Sequence, residues 1–464
     1  MRILHLAHDH LEQAVAGIEV YTSRLLTLQR TTDEPGLVVA RPDPSRPTGR
    51  FDTKTWLDVP CYEVVQNRDG WRFEQTWRDP RLAPAFRRIY EDFRPDLIHV
   101  QSLINLTLSA IDVACESGIP IVLTLHDHSF ACAQGGQRFH VDRSRCDRLD
   151  AVRCARCTWA GVGPIPALRA ATRRACPGPT APGPTGASPP PTASARSLMR
   201  LRTALARHVP VSSEGGRIRR RWDAMRGLAE RVALFIAPSQ DMRRAALEFG
   251  FPPDRIQHLP HGIPRTVSPR ARGIDDVALH FGYVGSLVPH KGVHHLITAF
   301  SDMPEGARLD VHGALDDAPE YVRELRARAR HPGICFAGPL APEAVPSAMV
   351  RFDCLVAPSI WRENAPLGVQ EAFAAGTPVV ASDLGGHREL LDGGGGLLFP
   401  PDEEAALAAT LRRLATQPGL VSELAAKVRP PCRLEEHGDA LRELYRRVLH
   451  SGSGSAIAST PHGL

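Results

Sequence analysis

Short apolar runs alternate with helix-like stretches along most of this chain, and the alternation occurs twice. In the first half the runs are Arg2–Ala7, Gly36–Ala40, Asp96–Val100, Pro120–Leu125, Val232–Ala237 and Arg255–Leu259. In the second half they are Leu279–Val284, Arg308–His312, Asp353–Ala357 and Pro378–Ala381. They are rich in Val, Ile and Leu and do not alternate with polar residues, the pattern of parallel strands buried on both faces. Amphipathic stretches lie between them, as at Val293, Leu296, Ile297 and Phe300. The sequence therefore predicts an α/β fold with two Rossmann-like doubly wound domains. Its 464 residues exceed what one core of roughly 100–200 residues holds.

Between Arg169 and Ser197 no aliphatic or aromatic side chain exceeds alanine, and prolines fill much of the stretch. Such a segment cannot bury enough apolar surface to offset its conformational entropy, so a disordered insertion at 169–197 is expected. Strand-like runs resume after it, which places it inside the first domain, 1–263, together with a Cys-containing loop at 130–160. A stretch of Pro, Arg, Ser and Gly at 264–276 reads as the interdomain linker. The second domain is expected at 277–432, a C-terminal helix at 433–450 and a frayed tail at 451–464.

Composition narrows the function classes. Aromatic content is 6%, and the net charge of +5 is spread along the chain, which argues against nucleic acid as a partner. Mild basicity suits a ligand carrying phosphates. The chain opens directly on a strand-like run, with no secretory pattern, and no apolar run approaches the roughly 18 residues that span a bilayer. A cytoplasmic location is expected, at most peripheral on a membrane face, with reduced cysteines.

The segment Pro358–Gly376, PSIWRENAPLGVQEAFAAG, carries Glu363 and Glu371 with seven residues between them. A strand ends at Ala357 and a helix is expected to open after Pro366. Ligands of open α/β sheets bind at the carboxyl ends of strands. A carboxylate there can grip vicinal hydroxyls of a ribose or hexose; read in isolation, both could equally be solvated helix-end glutamates. Gly282–Gly292, GYVGSLVPHKG, runs from a strand through a glycine turn to Lys291 and a helix start. Glycines admit a phosphate close to the backbone, and Lys291 adds positive charge. PVVASDLGG at Pro378–Gly386 repeats the strand-to-glycine turn.

These segments, in this order, resemble the retaining glycosyltransferases of family 4, which have the GT-B fold. The likeness includes GIEVYT at Gly17–Thr22, RPDLIHVQ at Arg94–Gln101, TLHDHSF at Thr124–Phe130 and the long run Ala237–Ile263. It continues through YVGSLVPHKG, ENAPLGVQEAFAAGTPVVASDLGG and GGLLFPP at Gly395–Pro401. The resemblance implies a sugar transfer from a nucleoside diphosphate sugar, a donor substrate, to a glycan, lipid-linked or small-molecule acceptor. It implies retention of anomeric configuration, no required cofactor and no catalytic metal. By the same likeness His126 and Glu363 would serve catalysis near the transferred sugar. Gly17, Gly285, Ser286, Lys291, Asn364, Ala365, Pro366, Leu367 and Glu371 would bind the donor: Glu371 its ribose, Lys291 its diphosphate, and backbone groups of Asn364 to Leu367 its sugar.

The chain departs from the family pattern at Ala16, where glycine is frequent, and at Ser286, where arginine is frequent. A missing charge-assisted contact is worth roughly 1.5–3 kcal/mol, so either another basic residue such as Arg362 or Arg388 compensates or donor binding is weakened. A catalytically silent GT-B-like binding protein and a GT-B-fold sugar-nucleotide epimerase stand as alternatives. The triplets His8–His10 and His126–His128 could both reach one sheet edge as metal ligands, or be hydrogen-bonded loop residues. Cys132, Cys146, Cys154 and Cys157 can be free thiols or hold a structural zinc. Arg217–Arg231 reads as a helix with a basic face, either solvated or in peripheral contact with anionic lipid.

Overall fold

In the computed structural model the described residues are 1–10, 12, 16–67, 73–140, 144–162, 212–264, 278–417 and 419–451. The stretch 169–197, the linker expected at 264–276 from residue 265 onward, and the tail from residue 452 lie outside them.

Among the described residues the first sheet has eight strands: β1 (Arg2–Leu6), β2 (Glu34–Arg41), β3 (Phe51–Trp56), β4 (Val59–Val65), β5 (Leu97–Val100), β6 (Ile121–Thr124), β7 (Leu234–Ala237) and β8 (Ile256–His258). Their order is β3-β4-β2-β1-β5-β6-β7-β8. All neighbours are parallel except β3, which runs antiparallel to β4 at the edge. The second sheet holds β9 (His280–Val284), β10 (Arg308–His312), β11 (Ile334–Phe336), β12 (Cys354–Ala357), β13 (Val379–Ser382) and β14 (Gly396–Phe399), in the order β11-β10-β9-β12-β13-β14 and parallel throughout. Two doubly wound sheets are the expected fold class. In each, the strand order reverses beside the first strand, between β1 and β5 and between β9 and β12, where a crevice opens at the strands' carboxyl ends.

The expected runs became strands because both faces are covered. Every residue of β5, β6 and β7 is buried. The strand β3 carried no such signal, since five of its six residues are partly or fully exposed ahead of Trp56. Its hairpin to β4 turns through Leu57 and Asp58 at φ of 51° and 57°, a left-handed pair without the glycine that usually announces it.

The helix Leu434–Ser451 follows the second sheet in sequence but packs on the first. Leu441, Leu444, Tyr445 and Val448 are buried against Ile3, Leu25, Leu97 and Ile236. Burying one such aliphatic side chain stabilises by roughly 1.5–3 kcal/mol, so this helix ties the second half to the first. A second tie is polar. The carboxylate of Glu389 accepts from the backbone N–H of Gln240 (2.9 Å) and Asp241 (3.0 Å), the first turn of the helix Gln240–Phe249. An anion is favoured at a helix N-terminus.

Candidate active site

The two crevices face each other across a cleft of about 670 Å³, within the range of small-molecule sites. The wall from the second sheet is built by the loops that leave β9 and β12. After β9 come Gly285 and Ser286, then a tight turn Pro289–Lys291, then Gly292 at φ 68°. A Cβ at Gly292 would lie 2.0 Å from the Pro358 carbonyl oxygen, so only glycine lets the two loops meet. That approach sets Lys291 beside the loop after β12. Its Nζ donates to Glu363 Oε1 at 2.7 Å and sits 4.9 Å above the Trp361 ring. Ser359 Oγ donates to the same oxygen at 2.7 Å. Burial opposes ionisation of Glu363, but the Lys291 charge and these hydrogen bonds outweigh it and bring its pKa down to about 2.

Glu371 lies on the helix Leu367–Ala374, whose N-cap residue Pro366 contributes no capping side chain. Its first-turn N–H groups are therefore open to a ligand. Glu371 is buried, which pushes its pKa up; the Arg24 guanidinium works against that push. Arg24 Nη2 donates to Glu371 Oε1 at 2.6 Å from the opposite wall. That wall is the helix Gly17–Gln29, which turns Gly17, Val20 and Arg24 toward the cleft at helical spacing.

Of the residues singled out in the sequence, Gly17, Gly285, Ser286, Lys291, Glu363, Pro366, Leu367 and Glu371 line this one cleft. Asn364 and Ala365 do not. The Asn364 side chain joins the walls: Nδ2 donates to the carbonyls of Leu125 (2.8 Å) and His126 (3.0 Å), and Oδ1 accepts from Ser239 Oγ (2.6 Å). The His126 ring also faces elsewhere. It lines a separate small cavity with Gln101 and Thr124, stacks on His261 at 5.1 Å and meets Tyr21 edge-on at 4.8 Å. Burial lowers its pKa to about 3, so it is neutral at pH 7. Gln101 Nε2 donates to His5 Nδ1 and His99 Nδ1, leaving its Oε1 to accept from His126 Nε2 at 2.8 Å. Tyr445 Oη lies 2.6 Å from the same His99 Nδ1, so the C-terminal helix reaches into this network.

The expected substitutes for an arginine at Ser286 are engaged elsewhere. Arg362 forms two hydrogen bonds to Asp241 (2.7 and 2.6 Å), and Arg388 binds Asp383 at 2.5 Å. Neither lines the cleft. The first histidine triplet is engaged with carboxylates: His8 pairs with Glu19 at 2.9 Å and feels the charge of Asp127 from the second triplet, and His10 pairs with Glu63 at 2.9 Å. Among the described residues no group of three or more His, Cys, Asp or Glu side chains is placed to hold a metal ion; His140 Nδ1 lies 2.8 Å from Cys157 Sγ. In the helix Ser212–Arg226, Ile218, Trp222 and Met225 are buried, Arg217 and Arg220 face Glu74, and Arg226 meets Asp223. Much of the basic face is thus neutralised by the chain itself. No helix among the described residues is long and apolar enough to cross a membrane.

The family model for Glycosyltransferase Family 4 matches residues 15–158 and 185–266, and that for Glycosyl transferases group 1 matches residues 278–417. The chain belongs to glycosyltransferase family 4. Curated relatives include a 2-deoxystreptamine glucosyltransferase of Streptomyces kanamyceticus, 28% identical over 44% of this chain and 49% of that protein. An alpha-maltose-1-phosphate synthase of Mycolicibacterium smegmatis is 29% identical over 50% of this chain and 62% of its own. The similarity thus spans about half the length of these relatives. Among solved structures, Anabaena HepE in complex with UDP and glucose aligns with a TM-score of 0.60 at 18% identity, over 96% of this chain and 100% of that one. Sucrose-phosphate synthase of Thermosynechococcus elongatus aligns with a TM-score of 0.62 at 17% identity, over 97% and 99%. These likenesses establish the GT-B fold. Arg24 was not singled out in the sequence. Its only signal there is position, seven residues beyond Gly17 on the same helix face.

Proposed function

We propose that the cleft binds a nucleoside diphosphate sugar and that the protein transfers the sugar, with retention, to a glycan, lipid-linked or small-molecule acceptor. The observation that carries this reading is the convergence of Lys291, Glu363 and Glu371 on one cleft at the carboxyl ends of β9 and β12. Glu371 grips the ribose hydroxyls, which do not change during the reaction. Lys291 balances the diphosphate as it leaves. Glu363, ionised at every physiological pH, faces the sugar where positive charge grows as the bond from the anomeric carbon to the phosphate oxygen breaks. The departing phosphate oxygen takes the proton of the acceptor hydroxyl as that oxygen bonds the anomeric carbon from the same face, which gives retention. His126 is neutral and spends its hydrogen bond on Gln101 outside the cleft, so it shuttles no proton here. No cofactor and no catalytic metal is part of this reading. The glucosyltransferase among the relatives and the UDP held by HepE favour a hexose donor.

The test is a panel of nucleoside diphosphate sugars. Ligand at about 100 times its Kd stabilises by roughly 2.7 kcal/mol, so one donor should raise the melting temperature, and adding the right acceptor should release free nucleoside diphosphate. A protein stabilised by no member of the panel would overturn the reading. Stabilisation without release to any acceptor would favour a silent binding protein, and donor conversion without acceptor an epimerase.

A further inference from the structure

The ion pair between Arg24 and Glu371 joins one wall of the cleft to the other across 347 positions of sequence. Both side chains are largely buried, with 14% and 10% of their area exposed. Breaking such a pair by removing one partner strands a charge, so whatever takes Glu371 must also leave Arg24 with an anion. Arg24 already has spare capacity. Its Nη1 is buried and has no acceptor among the described residues, and a buried orphan donor calls for a partner. The other cation at the cleft, Lys291, is tied to Glu363. Position 286 contributes a neutral serine whose carbonyl accepts from Tyr283 Oη at 2.8 Å. Among the described residues the one guanidinium that lines the cleft therefore sits on the first domain, on the helix whose uncapped N-terminus opens at Gly17 into the same space.

We infer that Arg24 is a direct ligand of the donor's phosphates, and that ribose and Arg24 compete for Glu371. When ribose hydroxyls take the carboxylate, the released guanidinium closes on the diphosphate with two N–H groups in its planar fork. This rests on the donor reading above and adds the residue that supplies the second positive charge. It also makes recognition conditional. A nucleoside without phosphate must separate Arg24 from Glu371 and leaves the guanidinium unpaired. A nucleoside diphosphate separates the same pair and supplies the replacement anion. Discrimination between the two arises from an exchange of partners across the domain boundary.

Calorimetric titration of the full chain with uridine, adenosine and guanosine, and with their diphosphates, tests this. Arg24→Ala should weaken binding of the preferred diphosphate roughly ten- to a hundredfold, the range for a charge-assisted contact. The matching nucleoside should bind Arg24→Ala as well as, or tighter than, the unaltered protein, because Glu371 no longer has a competitor. Arg24→Lys, which keeps the charge without the fork, should fall between. Melting temperatures check that the variants fold, and if Arg24→Ala does not, Arg24→Lys and Arg24→Gln carry the same comparison. Parallel loss of nucleoside and diphosphate binding, or no loss of either, would overturn the assignment of Arg24 and leave the donor reading intact. If the unaltered protein binds no nucleoside diphosphate, the donor reading falls and this inference with it.

Discussion

The two walls of the cleft use polar groups in opposite ways. The wall from the second sheet carries fixed charge: Lys291 against Glu363, held by loops so close that glycine is required at Gly292 and Gly386. Behind the wall from the first sheet, outside the cleft lining, neutral histidines lie side by side. His5 and His437 are lowered by burial to a pKa of about 4 and His126 to about 3, while His99 and His261 lie well below the usual value. A wall of paired charges suits a ligand that brings phosphates. A layer of buried neutral rings bonded to Gln101 and to one another's neighbours supports the other wall and keeps its character across the physiological pH range. Arg24 is the exception on the second wall's opposite side, and it is the residue that reaches over.

Acid should separate the walls most strongly. The buried histidines have folded pKa values below their unfolded value of about 6.5, so the unfolded chain takes up protons that the folded one refuses. Stability is therefore lost as pH falls from about 6.5 toward 4, by about 2 kcal/mol at pH 5 for each of His5, His126 and His437. Glu363 has the reverse sign. Its folded pKa of about 2 lies below its unfolded one, so its contribution is complete above about pH 4.5 and is lost only between there and about pH 2. The second sheet's loops hold fewer such groups, His290 and His387, so hydrogen exchange at pH 5 and pH 7 should show the first sheet opening sooner than the second; equal loss of protection in both would contradict the contrast.

Backbone crowding should mark the second wall next. A Cβ at Gly386 would lie 1.6 Å from the Asn364 carbonyl oxygen. Gly386→Ala should destabilise by about 3 kcal/mol, the upper end for overpacking, and weaken nucleotide binding, because Asn364 and Glu363 share that loop. A urea midpoint unchanged from the parent would show that the loop yields freely. Lys291→Ala should have a smaller effect on folding, since it lines an open cleft, yet weaken nucleoside diphosphate binding about tenfold while nucleoside binding holds. Equal loss for both ligands would place Lys291 away from the phosphates.

Much of this was legible in the sequence for a physical reason. Strands such as β5, β6 and β12 are buried on both faces, so they read as unbroken apolar runs. The edge strand β3 and the three-residue β11, with its residues partly exposed, had no such signature. Lys291, Glu363 and Glu371 could be found because each sits in a local motif with a strand on one side and a helix on the other. Arg24 could not, because an arginine on an amphipathic helix reads as a solvated one, and its partner is far away in sequence. The Asn364 side chain could be named but not its destination, the carbonyls of Leu125 and His126 on the opposite wall. The C-terminal helix was recognisable from its apolar stripe, whereas its packing on the first sheet through Leu441, Tyr445 and Val448 depends on tertiary contacts.

The division of labour between the two glutamates is the center of the proposed chemistry, and one paired measurement addresses it. Steady-state kinetics with the preferred donor are combined with direct binding of the free nucleoside diphosphate, for Glu371→Gln and Glu363→Gln. A contact made equally in ground and transition states changes affinity and not the chemical step. Glu371→Gln should therefore raise the donor KM and weaken nucleotide binding with a smaller change in kcat. Glu363→Gln should lower kcat with a smaller change in nucleotide affinity. Each effect should be about 1.5–3 kcal/mol, the worth of a hydrogen bond to a charged group. Two variants that behave alike in both assays would contradict this division, and two that behave like the parent would contradict the site.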